Sequence, residues 1–466
     1  MALTIRDAYD LMHRSCMALA EAEQAGFRLD VDRAITSQKH LTRQIDRLEH
    51  NLMTTDLVKA WRAKYGALMN FAANDQLGYI LYEHFGAKQM RVTASGKGAT
   101  DEAALEEAME QIDKPEVAQL LKVRKLKKLR DTYLEGFLRE QVNGYIHPFY
   151  NLHIVVTYRS SSDCPNFQNI PKRNKEAKKA TRDILFARPG HLLLEADFSK
   201  LEVVIAACYH KDPNMLKYLT SNSSDMHGDL AKQIFFIKNL NLDDPTHDTL
   251  RSASKNGFIF PQFYGDYYGN NAAGLCQWAK LPQHPLWKST EGLEMPDGST
   301  LAEHFAKNGI YGFNDFLEHM KKIEKHFWGV RFAVYQKWKD KWLHAYQKKG
   351  YFDTLTGFRC SGVFRKNQVI NFPVQGSAFH CLLWSFCKVN EIAKERKWRS
   401  RLIGQIHDAL IMDVHPDELQ EVIEVVKWVT TEALLKEWDW LIVPLQIAIE
   451  FGEVDAPWSQ MKKWKG

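Results

Sequence analysis

The stretch Leu192-Leu193-Leu194-Glu195-Ala196-Asp197-Phe198-Ser199-Lys200-Leu201-Glu202-Val203-Val204 changes period half-way along. Its first half is an apolar run of strand length. Its second half continues into Leu201, Val204, Ile205 and Cys208, at i, i+3, i+4 and i+7, which is one face of a helix. The spacing predicts a short strand that ends at Asp197 and a helix that starts directly after it. A carboxylate at a strand end, beside a backbone carbonyl, suits a hard cation. Taken alone, Asp197 reads better as the cap of the following helix.

Two other stretches carry chemistry-bearing side chains in a similar setting. In residues 402–414, LIGQIHDALIMDV, two apolar half-strands flank His407-Asp408-Ala409. This predicts a hairpin with Asp408 at its tip, as a site carboxylate or as an ordinary turn aspartate. In residues 251–265, RSASKNGFIFPQFYG, Arg251 and Lys255 are four apart and share a helix face. Two such cations backed by Phe258, Phe260, Phe263 and Tyr264 suit a polyphosphate and stacked bases. Standing alone, they are two solvated cations on an amphipathic helix.

Working outward, residues 6–55 read as helical, broken by Gly26 and the extended FRLDVD, with a second helix over about 32–53. Helices continue over 74–139, interrupted by a Ser95–Gly98 loop, with Asp101 capping the next one. The β-branched run His153-Ile154-Val155-Val156-Thr157 predicts a strand, followed by a loop over 160–171. Residues 210–345 are mainly helical, with a Pro/Gly-bearing interruption at about 281–312. Strand signals return at 350–356, 402–414 and 442–450. The order helical, mixed, helical, mixed predicts an α+β protein with a helical insertion in its mixed layer.

The chain of 466 residues is 45% hydrophobic and 26% charged, which allows two or three domains and excludes a disordered or fibrous protein. A net charge of +5 says little about partners. The basic runs KVRKLKKLR (122–130) and KRNKEAKKATR (172–182) fit either solvated helix faces or phosphate binding. The seven cysteines are odd in number and show no C-x-x-C spacing, which argues for reduced thiols in a cytoplasmic compartment. No apolar run approaches the ~20 residues of a membrane span, and MALTIRDAYDLMHRS has no signal-peptide core.

Together the three stretches resemble motifs A, B and C of family-A DNA polymerases, in order. DFSKLEVV (197–204) resembles the family's DYSQIELR. Arg251, Lys255, Phe260, Tyr264 and Gly265 resemble R-x-x-x-K followed by F-x-x-x-Y-G. Ile406-His407-Asp408-Ala409 resembles V-H-D-E. Residues 159–171 are similar to RLSSSDPNLQNIP, Asp225-Met226-His227 to DIH, and Asn371–Gly376 to N-x-P-x-Q-G. QAGFRLDV and NFAANDQL are similar to parts of the family's thumb, so the resemblance spans about residues 8–460. The departures are Lys200 for Gln, Val204 for Arg, Ala409 for Glu, and one extra residue between Lys255 and Tyr264. Counting back from Tyr264, Phe260 rather than Phe258 takes the aromatic position.

The resemblance implies a right-hand fold. It has a helical thumb at 1–145, an antiparallel palm at 146–204 and 346–466, and helical fingers at 205–345 with an insertion at about 281–312. It implies template-directed addition of dNTPs to a primer 3′ end with two Mg²⁺, or Mn²⁺ in their place. The metals would be held by Asp197, Asp408 and the Phe198 carbonyl. Arg251, Lys255 and His227 would neutralise the triphosphate, with Lys255 also protonating the leaving pyrophosphate. Glu202 would exclude a ribose 2′-hydroxyl, Phe260 would face the sugar, and Tyr264 would sit near the templating base. Arg159, Asn166, Gln168, Asn371, Gln375 and His407 would contact DNA. The expected partners are a primer-template and dNTPs, and a separate exonuclease or processivity factor, because no 3′–5′ exonuclease or 5′ nuclease is expected in this chain. An RNA polymerase, a reverse transcriptase and an inactive DNA clamp are the alternatives; Glu202 argues against the first and the retained aspartates against the last.

Overall fold

The strand expected to carry Asp197 spans Leu192–Ser199 and is the central strand of a five-stranded antiparallel sheet. In the computed structural model, which describes residues 3–89, 92–93, 96–171, 175–221 and 224–465, the sheet order is Lys462–Lys463, Gln446–Phe451, Leu192–Ser199, Ala409–Val414, Arg401–Ile406. The expected 402–414 hairpin is present as the last two strands. Side chains alternate across a strand. Leu192, Leu194, Ala196 and Phe198 face one buried cluster, built on the helix Lys366–Glu395 and the helix Leu419–Trp428. Leu193 and Ile411 face a second cluster, shared with the N-terminal helical region. Alternation puts Asp197 on that second face, at the end where burial gives way to exposure.

The helix Lys366–Glu395 contains Pro373, which has no N–H for the carbonyl of Val369. The Trp342 indole N–H fills the gap, donating to that carbonyl at 3.0 Å. Three residues on, Gly376 leaves room for another close approach: a Cβ there would lie 2.7 Å from the Thr157 carbonyl oxygen.

The segment expected as thumb, 1–145, divides. The helix Ile5–Ala25 buries Ala8, Leu11, Ala18, Leu19 and Ala22 against the helix Lys366–Glu395. It is tied there by Arg14 to Glu391 and by Glu21 to Lys394 and Asn390. Residues from Val31 onward form the helical arm, with Val31–Leu52, Asp56–Tyr65, Glu102–Gln111 and Glu116–Lys127 around their own core. Asp101 does cap its helix, accepting from the Ala104 amide. Ser95 lies outside the described residues.

The strand expected at 153–157 is absent. Those residues form bends and turns, and the strand is Phe149–Asn151, paired with Ser161–Asp163. The β-branched run was misleading because Ile154 and Val156 are exposed and no strand lies alongside them among the described residues.

Residues 201–349 form a helical layer with a third core. Asp212, almost fully buried, caps two of its helices. One carboxylate oxygen accepts from Asn214 and Met215 in Pro213–Thr220, and the other accepts from Val334 and Tyr335 in Ala333–Lys349. Such shared capping fixes the two helices against each other. The interruption at 281–312 is not a loose loop. Trp287, Met295, Leu301, Phe305 and Ile310 are in this core.

Candidate active site on the five-stranded sheet

Asp197 and Asp408 are brought to the same end of the sheet because their strands are neighbours. Ala409 is the register partner of Asp197, and the Phe198 amide donates to the Asp408 carbonyl at 3.1 Å. Asp408 sits at the tip between Ile406 and Ala409. The tip closes in two residues because His407 adopts a left-handed backbone, φ 52°. On the other strand, Lys200 does the same at φ 56°, turning the chain from strand into the helix Leu201–His210. A non-glycine residue held there costs roughly 1–3 kcal/mol, and such strain collects at functional sites.

The tip is braced from below. Gln405, buried in the strand before it, donates to the His407 carbonyl at 2.9 Å. Its side-chain oxygen accepts from Ser160 at 2.9 Å and from Gln168 at 2.8 Å. Gln168, expected on the DNA, therefore directs its amide into this network, while Asn166 is exposed. Nothing in the motif resemblance had singled out Gln405. The available signal was a glutamine inside an otherwise apolar strand, which must find partners when buried.

A cavity of about 210 Å³ opens above the two strands. Phe198, Lys200, Glu202, Phe260, Tyr264, Asn371, Gln375 and Asp408 line it. The Tyr264 hydroxyl donates to one Glu202 oxygen, and Arg159 lies 3.5 Å from the other. Asn371 donates to the Tyr264 carbonyl at 3.3 Å. Asn371 and Gln375 are one turn apart on the helix Lys366–Glu395, so they face the cavity together.

The extra residue between Lys255 and Tyr264 is absorbed in a π-helical turn, Ser254–Ile259, between the helices Pro245–Ala253 and Phe260–Phe263. One residue is taken up there without breaking the helix. Phe258 is turned into the core against Phe327, ring centroids 5.2 Å apart. Phe260 reaches the cavity, with Lys255 Nζ 5.3 Å from its ring centroid and the His227 ring edge-on at 6.3 Å. Gly265, at φ 90°, ends the segment with a conformation that favours glycine.

The expected triphosphate cations are not equivalent. Arg251 makes a two-pronged ion pair with Asp225, at 2.7 and 2.9 Å. Burial, then the charges of Arg251 and Lys255, push the His227 imidazole down to about 4. In the chain alone, His227 is therefore neutral at pH 7.

The basic run 122–130 is partly internal: Arg124 donates to the Thr100 carbonyl, and Lys125 and Lys127 pair with Glu102 and Glu49. In the second run, residues 172–174 lie outside the described residues, and Arg182 is buried on Glu195 at 2.7 Å.

Among the described residues no three His, Cys, Asp or Glu side chains gather as a metal site. Mg²⁺ does not need such a cage, since it commonly uses one or two carboxylates plus substrate phosphates. The pair Asp197 and Asp408, with the intervening backbone, fits that requirement.

The model of DNA polymerase family A matches residues 38–286 and 313–457. The chain belongs to DNA polymerase family A. The gap in the match, 287–312, falls where the sequence suggested an insertion. This family-A chain is 26% identical to DNA polymerase I of Chloroflexus aurantiacus, over 97% of its own length and 43% of the relative's. It is 29% identical to DNA polymerase I of Pseudomonas aeruginosa, over 77% and 36%. It is 27% identical to the DNA polymerase of Bacillus phage SP01, over 78% and 37%. The chain thus spans less than half the length of these relatives. Its fold is similar to the POL domain of Pol1 from M. smegmatis, solved with DNA primer-template and dNTP. The TM-score is 0.73 at 24% identity, over 96% of this chain and 70% of the other. No helix among the described residues is long and apolar enough to cross a membrane.

Proposed function

We propose that this chain is a DNA-directed DNA polymerase, adding dNTPs to the 3′ end of a primer on a DNA template. The observation that carries the reading is the strand pairing that sets Asp197 opposite Ala409, next to Asp408, with Asp408 at the wall of a cavity shared with Glu202, Phe260 and Tyr264. Family membership and a structural relative solved with primer-template and dNTP support it.

Asp197, Asp408 and the Phe198 carbonyl would hold two Mg²⁺, or Mn²⁺. When bound, these ions sharpen the primer 3′-oxygen as a nucleophile and offset charge on the α-phosphate and leaving pyrophosphate. The chain's own groups do the rest. Lys255 neutralises the triphosphate and supplies a proton to the departing pyrophosphate oxygen. Arg251, oriented by Asp225, presents its remaining N–H edge to the phosphates. His227 acts as a hydrogen-bond donor. Glu202, held by Tyr264 and Arg159, fills the space a ribose 2′-hydroxyl needs. Arg159 and Gln375 address the minor-groove acceptors N3 and O2, which every correct pair presents. Asn371 positions Tyr264 near the templating base.

The test is extension of a primer-template by the purified chain with Mg²⁺, with dNTPs and NTPs in parallel. Extension with dNTPs, and its marked loss with NTPs, is expected. Extension with NTPs alone would point to an RNA polymerase, and binding without extension to a clamp. Glu202→Ala should raise NTP use.

A further inference from the structure

Gln262 is buried in the segment between Phe260 and Tyr264, which both line the cavity. Its amide is fully used. The two N–H groups donate to Asn271 Oδ1 at 2.6 Å and to Glu324 Oε2 at 2.5 Å, and its oxygen accepts from the Trp328 indole at 2.6 Å. The partners sit on three elements: the helix Tyr268–Trp278, the helix Phe313–His326 and the turn Phe327–Arg331. Two of them are held in turn. Asn271 donates to Asp266, whose other oxygen accepts from the Tyr267 amide at 2.9 Å, and Lys339 Nζ lies 3.1 Å from the Trp328 ring centroid.

The helix Phe260–Phe263 is a single turn, and so short a helix takes its position from packing rather than from its own bonds. The π-helical turn before it absorbs one residue, so the preceding helix does not dictate its phase. Residues two apart on a helix point to opposite sides, and residues four apart to the same side. Phe260 and Tyr264 therefore face the cavity, while Phe258 and Gln262 face the interior. Phe258 packs against Phe327 through its ring alone, which tolerates rotation. The three bonds of Gln262 are directional, and a rotation of the segment would strain all of them together.

We propose that Gln262 is a positioning residue for nucleotide selection: by anchoring the back of the Phe260–Phe263 turn, it fixes the cavity wall that the incoming nucleotide and its template partner must fit. The proposal rests on the polymerase reading of this cavity. Gln262 touches neither substrate nor reacting atoms; it acts through Phe260 and Tyr264. A wall displaced by a fraction of an ångström costs the correct pair its fit, whereas a mismatched pair has little fit to lose.

The experiment compares the full chain with Gln262→Leu, Trp328→Phe and Phe305→Leu. Trp328→Phe keeps a ring and removes the indole N–H. Phe305 packs in the same core against Phe235, Trp287 and Phe316, so its truncation loosens the layer without removing a bond of the network. Single-nucleotide insertion gives the ratio of kcat/KM for correct over mismatched dNTP. Hydrogen exchange follows the Tyr264, Gly265 and Asp266 amides, which bond within the segment. Gln262→Leu should lower the ratio about tenfold and speed exchange at these amides. Trp328→Phe should lower the ratio about threefold. Phe305→Leu should destabilise the chain in urea yet keep the ratio within about twofold of the parent's. An unchanged ratio in both Gln262→Leu and Trp328→Phe, or an equal fall in Phe305→Leu, would overturn the proposal. A parent chain that extends no primer would remove the polymerase reading. Unchanged exchange in Gln262→Leu would then still overturn the positioning role, and faster exchange confined to residues 260–266 would uphold it.

Discussion

The Phe198 amide hydrogen bond to the Asp408 carbonyl, 3.1 Å long, joins the strand of Asp197 to the hairpin turn that carries Asp408. It is a backbone contact, so it is independent of either carboxylate. Asp197→Ala and Asp408→Ala should therefore fold normally and bind primer-template. Extension should fall by at least two orders of magnitude. Single-turnover extension beside a DNA-binding titration checks this, and near-normal turnover by either variant would remove the metal assignment.

Phe260 lines the cavity and Phe258 does not. Phe260→Tyr should relax discrimination against dideoxynucleotides at least about tenfold, because a hydroxyl there replaces the missing 3′-OH contact. Phe258→Tyr should leave discrimination unchanged. It should destabilise the chain by about 1–3 kcal/mol, since its hydroxyl would enter an apolar core. Dideoxy-competition assays and urea unfolding separate the two; relaxed discrimination in Phe258→Tyr would show that the π-turn has been misjudged.

Gln405 links Ser160, Gln168 and the His407 carbonyl beneath the hairpin tip. Gln405→Leu should destabilise the chain by roughly 1–3 kcal/mol through its orphaned partners. It should also lower kcat, because the tip bearing Asp408 loses its brace. Unchanged kcat in a destabilised variant would mean the network is structural only.

Glu195, two residues before Asp197 on the same strand, pairs with Arg182 in the interior and accepts from the Trp458 indole at 2.8 Å. Glu195→Gln leaves the Arg182 charge buried without its counter-ion, which should cost about 3–5 kcal/mol. Replacing both residues by Met should cost less than the single change. Urea unfolding of the three chains decides, and an additive double variant would refute the coupling.

His210 and His380 are buried, and their imidazoles are pushed down to about 3 by burial, with the Lys339 charge adding to the effect at His210. In the unfolded chain these rings protonate below about 6.5. The unfolded state thus binds more protons between about pH 6.5 and 3, and stability is lost as pH falls through that window. Each ring should cost about 2 kcal/mol by pH 5. Urea midpoints measured from pH 7 to pH 5 should fall; a flat profile would show that these rings already carry protons in the folded chain.

Local pattern revealed the Asp197 strand, the Asp408 hairpin, the helix start at Leu201 and the helical layer. Each depends on residues within a few positions of one another, where side-chain period reports which face is buried. The same logic failed at 153–157, because β-branching favours an extended chain but cannot supply a neighbouring strand. It also failed at the N-terminus, where the Ile5–Ala25 helix is legible but its partner, the helix Lys366–Glu395, is not.

Motif order alone singled out the residues around the cavity, yet it could not say how their polar groups are satisfied. Arg251 is engaged by Asp225, Gln168 by Ser160 and Gln405, and His227 is kept neutral by burial and neighbouring cations. A motif records which side chains are present; the donors, acceptors and charges that occupy them are distant in sequence and meet only once the chain is folded. The sequence by itself determined the elements, their order and the family. Tertiary structure alone decided that Asp197 lies opposite Ala409, next to Asp408, that Phe258 turns into the core while Phe260, which the count from Tyr264 favoured, reaches the cavity, and that Lys200 lies beside it, because strand pairing, helix phase and burial are properties of the assembled chain.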